Sequence, residues 1–310
     1  MYLCIMSNII SDLGLNAPFI KGQAIPVRNC WHFTIDGRKV DVMFFDRRDF
    51  KEGINRIFVV KSAYRVVILA FVLMDNHFHF VLYGTFEECN RFVHEYARRT
   101  SLAISKRHGE KHKLDNVPIH HQVVDDDRYL KTVICYTIKN PAAAGLSCTP
   151  WDYPWSSGPL YFRASGEWSS ARWLEDKMFD PGTLGNTDRK RMMNSHECPA
   201  SCVMMSDGMI FPGCFVDFQL VEKLFRTPKG YLYFLGATKD TDVEERGGVI
   251  SHLSIPSQEM RQNKADVCKE MFGVESTRSL STSQRIMLAK RLRSKYNSSV
   301  KQDARLCGLI

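Results

Sequence analysis

The stretch Val72–Gly84, VLMDNHFHFVLYG, decides how the rest of the chain is read. It overlaps Arg65–Met74, a β-branched and apolar run of strand length, which reads as a buried strand. Asp75 and Asn76 form a polar turn, and His77–Tyr83 reads as the next strand. Side chains two apart on a strand share a face. His77 and His79 therefore point together, while Phe78, Phe80 and Leu82 point into the core. Two imidazoles on one face of a rigid strand can hold a divalent metal, each through a nitrogen lone pair. On spacing alone, two half-buried packing histidines are the preferred reading. The polar turn and the adjoining buried strand are what set this pair apart.

Working outward, residues 25–36 (IPVRNCWHFTID) alternate and are rich in aromatic and β-branched types, which predicts a strand. Asp46 opens a helix with Phe50, Ile54 and Ile57 at helical spacing. Thr85 with Glu88 forms a capping box for a helix running to about Arg107 and ended by Gly109. Residues 108–120 are polar and His/Lys-rich, which predicts a loop. Asp127 to Asn140 reads as a further helix stopped by Pro141. Tyr136 and Asn140, four apart, share a face of it, and Lys139 lies three residues from Tyr136. This order of elements predicts an α+β fold with helices on one face of an antiparallel sheet.

The chain has 310 residues, 44% hydrophobic and 25% charged, which excludes wholesale disorder. No apolar run is long enough to span a bilayer. Met1–Ile10 carries no basic residue ahead of its apolar residues, so a cytoplasmic protein without a membrane partner is expected. The net charge is +8, and a polyanion, nucleic acid first, is the expected partner. Residues 261–310 hold eleven basic and four acidic residues, an excess of seven. The ten cysteines include no CxxC pair and read as free thiols. His196, Cys198, Cys202 and Cys214 lack the second tight pair of a zinc knuckle, so thiols are the preferred reading there too.

Three segments in order, MDNHFHFVLYG (74–84), RYLKTVICYTIKNPAAAGL (128–146) and WDYPWSS (151–157), carry a resemblance. Together they resemble the single-tyrosine transposases of the HUH endonuclease superfamily, and among them the REP-associated tyrosine transposases. That family reads M-P-N-H-x-H, then Tyr-x-x-x-Asn-Pro-x-x-x-Gly. Here Asp75 stands where proline is usual, and Lys139 directly precedes the Asn-Pro pair. The resemblance covers residues 26–165.

The resemblance implies a ferredoxin-like nuclease domain with metal-dependent, ATP-independent cleavage and rejoining of single-stranded or hairpin DNA. His77 and His79 would bind Mg²⁺ or Mn²⁺, and Tyr136 would be the nucleophile that keeps a 5′-phosphate. Asn140 falls where relatives place a third polar ligand, with His120, His121 and the Asp125–Asp127 run as competitors. A nucleoid-associated monomer or homodimer is expected. Arg98, Arg99, Lys106, Arg107 and Lys139, with Arg291, Arg293 and Lys295, are candidate DNA contacts; a solvated helix face is the alternative for each. Trp151, Tyr153 and Trp155 are expected to pack rather than stack on bases.

The expected organisation is a leader (1–24), the nuclease domain (25–165), a middle region of uncertain fold (166–255) and a basic helical domain (256–310). The last contains either a helix-turn-helix cut short after Gly308 or a basic helical hairpin. The rival functions are a replication-initiator or relaxase nickase and a domesticated DNA-binding regulator without turnover.

Overall fold

A computed structural model describes residues 28–35, 37, 40, 42–109, 114, 117–146, 148–162, 180, 185–193, 202–239, 242–243, 257–296 and 300–309. The expected leader lies outside them, as do His196 and Cys198. The first half runs β1 (Arg28–Ile35), α1 (Arg47–Lys61), β2 (Val67–Leu73), β3 (Phe78–Thr85), α2 (Phe86–His108), β4 (Ile119–Val124) and α3 (Asp127–Ala143). The sheet order is β2-β3-β1-β4, with every neighbouring pair antiparallel. A β-α-β-β-α-β chain path in this order is the ferredoxin-like split βαβ arrangement.

The helices start where local chemistry dictates. The Asp46, Thr85 and Asp126 side chains accept from the backbone N–H three residues on, satisfying orphan donors of each first turn. Gly109 ends α2 at φ 74°, a left-handed conformation that glycine adopts without strain. Pro141, expected to stop α3, instead lies inside its last turn. A proline there removes only its own N–H, and the Ala144 and Leu146 N–H groups still reach the Asn140 and Pro141 carbonyls.

Two further departures matter for the site. The segment read as a loop up to residue 120 ends in β4, which pairs with β1 in the register Thr34↔His120 and His32↔Gln122. The expectation of helices on one face holds only for the βαββαβ core. Phe78 and Phe80 pack edge-on against Phe92 and Tyr96 of α2, at 5.2–5.4 Å between ring centroids. α1 packs beside α2, as the buried Arg56–Thr100 hydrogen bond shows. His79 points to the opposite face, and α3 covers that one. Strand parity makes this unavoidable: if Phe78 and Phe80 meet α2, His77 and His79 meet whatever lies behind the sheet.

The outer edge of β2 is closed by the WDYPWSS segment. Tyr153 and Tyr161 hydroxyls donate to the Leu73 and Leu69 carbonyls at 2.8 and 2.6 Å, and the Ser157 N–H donates to the Phe71 carbonyl at 3.0 Å. Trp155 stacks on Phe50 with ring centroids 5.2 Å apart. These aromatics pack, and together they protect an edge that would otherwise be open to pairing.

Beyond residue 162 come α4 (Asn186–Met193), α5 (Phe218–Phe225) and α6 (Pro228–Ala237). Cys202, Met204, Ile210, Val216, Tyr231 and Val243 join the same hydrophobic core as the sheet, so the boundary expected at 165 does not separate two cores. α7 (Ser257–Phe272), α8 (Thr282–Tyr296) and α9 (Val300–Cys307) enclose a second core built on Met260, Val267, Leu288, Leu292 and Cys307. Ser281 and Gln284 form a reciprocal capping box at the start of α8. Gly308 at φ 68° ends α9. Among the described residues no helix is long and apolar enough to cross a membrane.

Candidate active site

The turn before β3 and the middle of α3 meet on the covered face of the sheet. His77 Nε2 lies 2.9 Å from Asn140 Oδ1, and His79 Nε2 lies 3.2 Å from Asn140 Nδ2. All three side chains are buried. The Tyr136 ring, one turn before Asn140 on α3, stands edge-on to His79 with centroids 5.5 Å apart. Tyr136 is itself buried and lines a pocket with His79, Thr34 and His120.

The Asn76 side chain fixes the state of His77. Its Nδ2 donates to the Gly37 carbonyl at 3.1 Å, which can only accept. Its Oδ1 therefore faces His77 Nδ1, 2.8 Å away, and that nitrogen must carry the proton. In neutral His77 the lone pair is then on Nε2, opposite Asn140 Oδ1, a pairing of two acceptors that a cation between them would relieve.

The donor set fits a hard divalent cation. Adjacent ligands of an octahedral ion with bonds of about 2.1 Å stand roughly 3 Å apart, the separation seen between His77 Nε2 and Asn140 Oδ1; His79 Nε2 lies beside the same amide, 3.2 Å from its Nδ2. Among the described residues no group of three His, Cys, Asp or Glu side chains is disposed to hold a metal. The candidate set is two imidazoles and an amide, whose carbonyl oxygen is a suitable donor for Mg²⁺ or Mn²⁺.

His32 of β1 is part of the same cluster. Its Nε2 lies 3.0 Å from His79 Nδ1, and the two rings stack at 5.2 Å with 10° between planes. Its ring also meets Tyr136 edge-on at 5.8 Å. Burial pushes the His32 pKa down to about 4, so it is neutral at pH 7.

Part of the chain is similar to a solved REP-associated tyrosine transposase. That structure, bound to a REP hairpin, shares 15% identity over 45% of this chain and 82% of its own, with a TM-score of 0.33. No family model matches the sequence, and no curated protein matches it.

Of the residues singled out from sequence, the structure brings His77, His79, Tyr136 and Asn140 together. Among the competing third ligands, Asp126 caps α3 through the Tyr129 N–H, some four turns from Asn140. His121 lies on the other face against Phe33 and Phe86. His120 is on the site face, in the pocket wall.

The expected DNA contacts are mostly engaged elsewhere. Arg98 and Arg99 both bind Glu95, at 2.7 and 2.6 Å, and hold its carboxyl down to about pKa 2. Arg107 pairs with Asp46 at 2.6 Å and with Asp49, and holds Asp46 near 2. Lys106 is exposed, but all four residues sit on α2, behind the sheet from Tyr136. Lys139 donates to the Thr238 carbonyl at 2.6 Å and so ties α3 to the end of α6. Arg291 and Lys295 pair with Glu270, at 3.7 and 2.9 Å. Arg293 reaches Asp75 at 2.9 Å, in the turn that carries His77.

Sequence reasoning missed His32 and the part played by Asn76. A signal for His32 existed: polar His32 and Thr34 alternate with Phe33 and Ile35, placing them on one strand face.

Proposed function

We propose that the protein is a transposase-type endonuclease that cleaves and rejoins single-stranded or hairpin DNA through a 5′-phosphotyrosine at Tyr136. The observation that carries this reading is the meeting of His77, His79 and Asn140 beside the Tyr136 ring. His77 Nε2, His79 Nε2 and the Asn140 amide oxygen would hold Mg²⁺ or Mn²⁺. A cation bound there would polarise the scissile phosphate and steady the departing oxygen.

The Tyr136 oxygen bonds to phosphorus as the bond from phosphorus to the 3′-oxygen breaks. The phenolic proton ends, net, on the released 3′-hydroxyl. The 5′-phosphate stays on the enzyme, so no bond energy is lost to water. Attack by a second 3′-hydroxyl reverses the step and joins strands. Burial of Tyr136 and the two histidines keeps competing water away from the phosphotyrosine.

Incubation with single-stranded hairpin DNA and Mn²⁺ tests the reading. Cleavage is expected for the native chain and lost in Tyr136→Phe, which removes only a hydroxyl, and in excess chelator. Undiminished cleavage by Tyr136→Phe, or in chelator, overturns it.

A further inference from the structure

The two candidate metal-binding histidines are each held from behind, and by different residues. For His77 the partner is Asn76, whose amide is fixed by the Gly37 carbonyl. For His79 the atom behind is His32 Nε2, 3.0 Å from Nδ1. A histidine coordinates through a nitrogen lone pair, so a ligand that uses Nε2 must carry its proton on Nδ1. Partners that accept from that N–H fix both tautomer and ring orientation.

We infer that His32 is a positioning residue for His79: its Nε2 lone pair accepts the His79 Nδ1–H and so keeps His79 Nε2 open to a cation. The inference rests on the metal reading of this site. Three observations carry it. With the Asn140 oxygen turned toward His77, where a cation would take it, its Nδ2, a donor, faces His79 Nε2 at 3.2 Å; in that orientation Nε2 is the acceptor and Nδ1 bears the hydrogen. His32 and His79 are 6% and 1% exposed, so bulk water cannot substitute for the contact. His32 is also locked in place, in register with Val81 of β3 and Gln122 of β4, with its ring edge-on to Tyr136. His32 does not touch the reacting atoms in this account. It acts through His79.

The test combines a tautomer measurement with metal affinity on the full chain. In ¹⁵N-histidine-labelled, metal-free protein, long-range ¹H–¹⁵N spectra report which His79 nitrogen is protonated. The expected result is Nδ1–H in the native chain. Mn²⁺ titration is then expected to show affinity about 10- to 100-fold weaker in His32→Leu. His32→Gln, whose amide oxygen can accept the same hydrogen, is expected to recover most of that loss. A purely structural role for His32 would not distinguish Gln from Leu in this way.

An Nε2–H tautomer in the native chain overturns the inference even if His32→Leu fails to fold. Mn²⁺ affinity in folded His32→Leu equal to that of the native chain also overturns it. Both outcomes leave the metal reading standing. A native chain that binds no Mn²⁺ contradicts the metal reading itself, and the inference with it.

Discussion

At the scale of single residues, the site buries His32 as a neutral imidazole where a charged one would be costly. His32 takes up a proton only near pH 4 in the folded chain, against about 6.5 for an ordinary histidine, because burial penalises the cation. Between those values the unfolded chain binds one more proton than the folded one, so stability falls as pH drops through this window. The full contribution is about 3 kcal/mol, from roughly 1.4 kcal/mol per pKa unit. Urea unfolding at pH 7 and pH 4.5 is expected to show a smaller pH-dependent loss in His32→Gln than in the native chain. Equal losses would contradict the assignment. Asp46 and Glu95, each held near 2, lose their contribution mainly below about pH 4.5, and equally in both proteins, so the comparison isolates His32. The spacing His77-x-His79 and the i, i+4 relation of Tyr136 to Asn140 are legible in the sequence, because strand and helix periods fix which side chains share a face. His32 is harder to single out: alternation with Phe33 and Ile35 places it on one strand face, but does not say which face carries the site.

At the scale of elements, the caps and strand runs gave the start of α1 and placed α2, β1, β2 and β3 to within three residues at each end. β4 was missed because IHHQVV is six residues long and opens with histidines continuous with a polar, His/Lys-rich stretch. The placement of α3 behind the sheet was also illegible: periodicity tells which stripe of a helix is buried, not which face of the sheet receives it. The pairing of Arg98 and Arg99 with Glu95 was legible in principle, at spacings of three and four. The edge of β2 offers a direct check on packing. Tyr161 is fully buried, and its hydroxyl donates to the Leu69 carbonyl at 2.6 Å and lies 2.8 Å from Ser157 Oγ. Tyr161→Phe leaves that carbonyl without this donor and is expected to cost about 1–3 kcal/mol in denaturant unfolding. A change within a few tenths of a kcal/mol would mean the edge is held by Ser157 and Tyr153 alone.

At the scale of the whole molecule, the described residues build two cores, one on the sheet and one on α7–α9, and the Arg293–Asp75 ion pair links the second to the turn that carries His77. Most of the surplus positive charge lies in the second, yet Arg291, Arg293 and Lys295 are ion-paired. The exposed Arg261, Arg278 and Lys290 remain as candidate strand contacts. Replacing all three with glutamine is expected to weaken single-stranded DNA binding and lower the log–log salt slope by about 0.7 per lost phosphate contact. An unchanged slope would assign this unit a role other than DNA contact.

The central claim is that one tyrosine on α3 holds the DNA covalently beside a metal-dependent histidine pair. It is tested most directly by offering the full chain a 3′-labelled single-stranded hairpin with Mn²⁺ and resolving the products under denaturing conditions. The account predicts that the 3′-labelled fragment migrates with the protein, that peptide mapping places the phosphodiester on Tyr136, and that chelator abolishes the adduct. A labelled fragment released with a free 5′-phosphate, or an adduct on Tyr129, would contradict it.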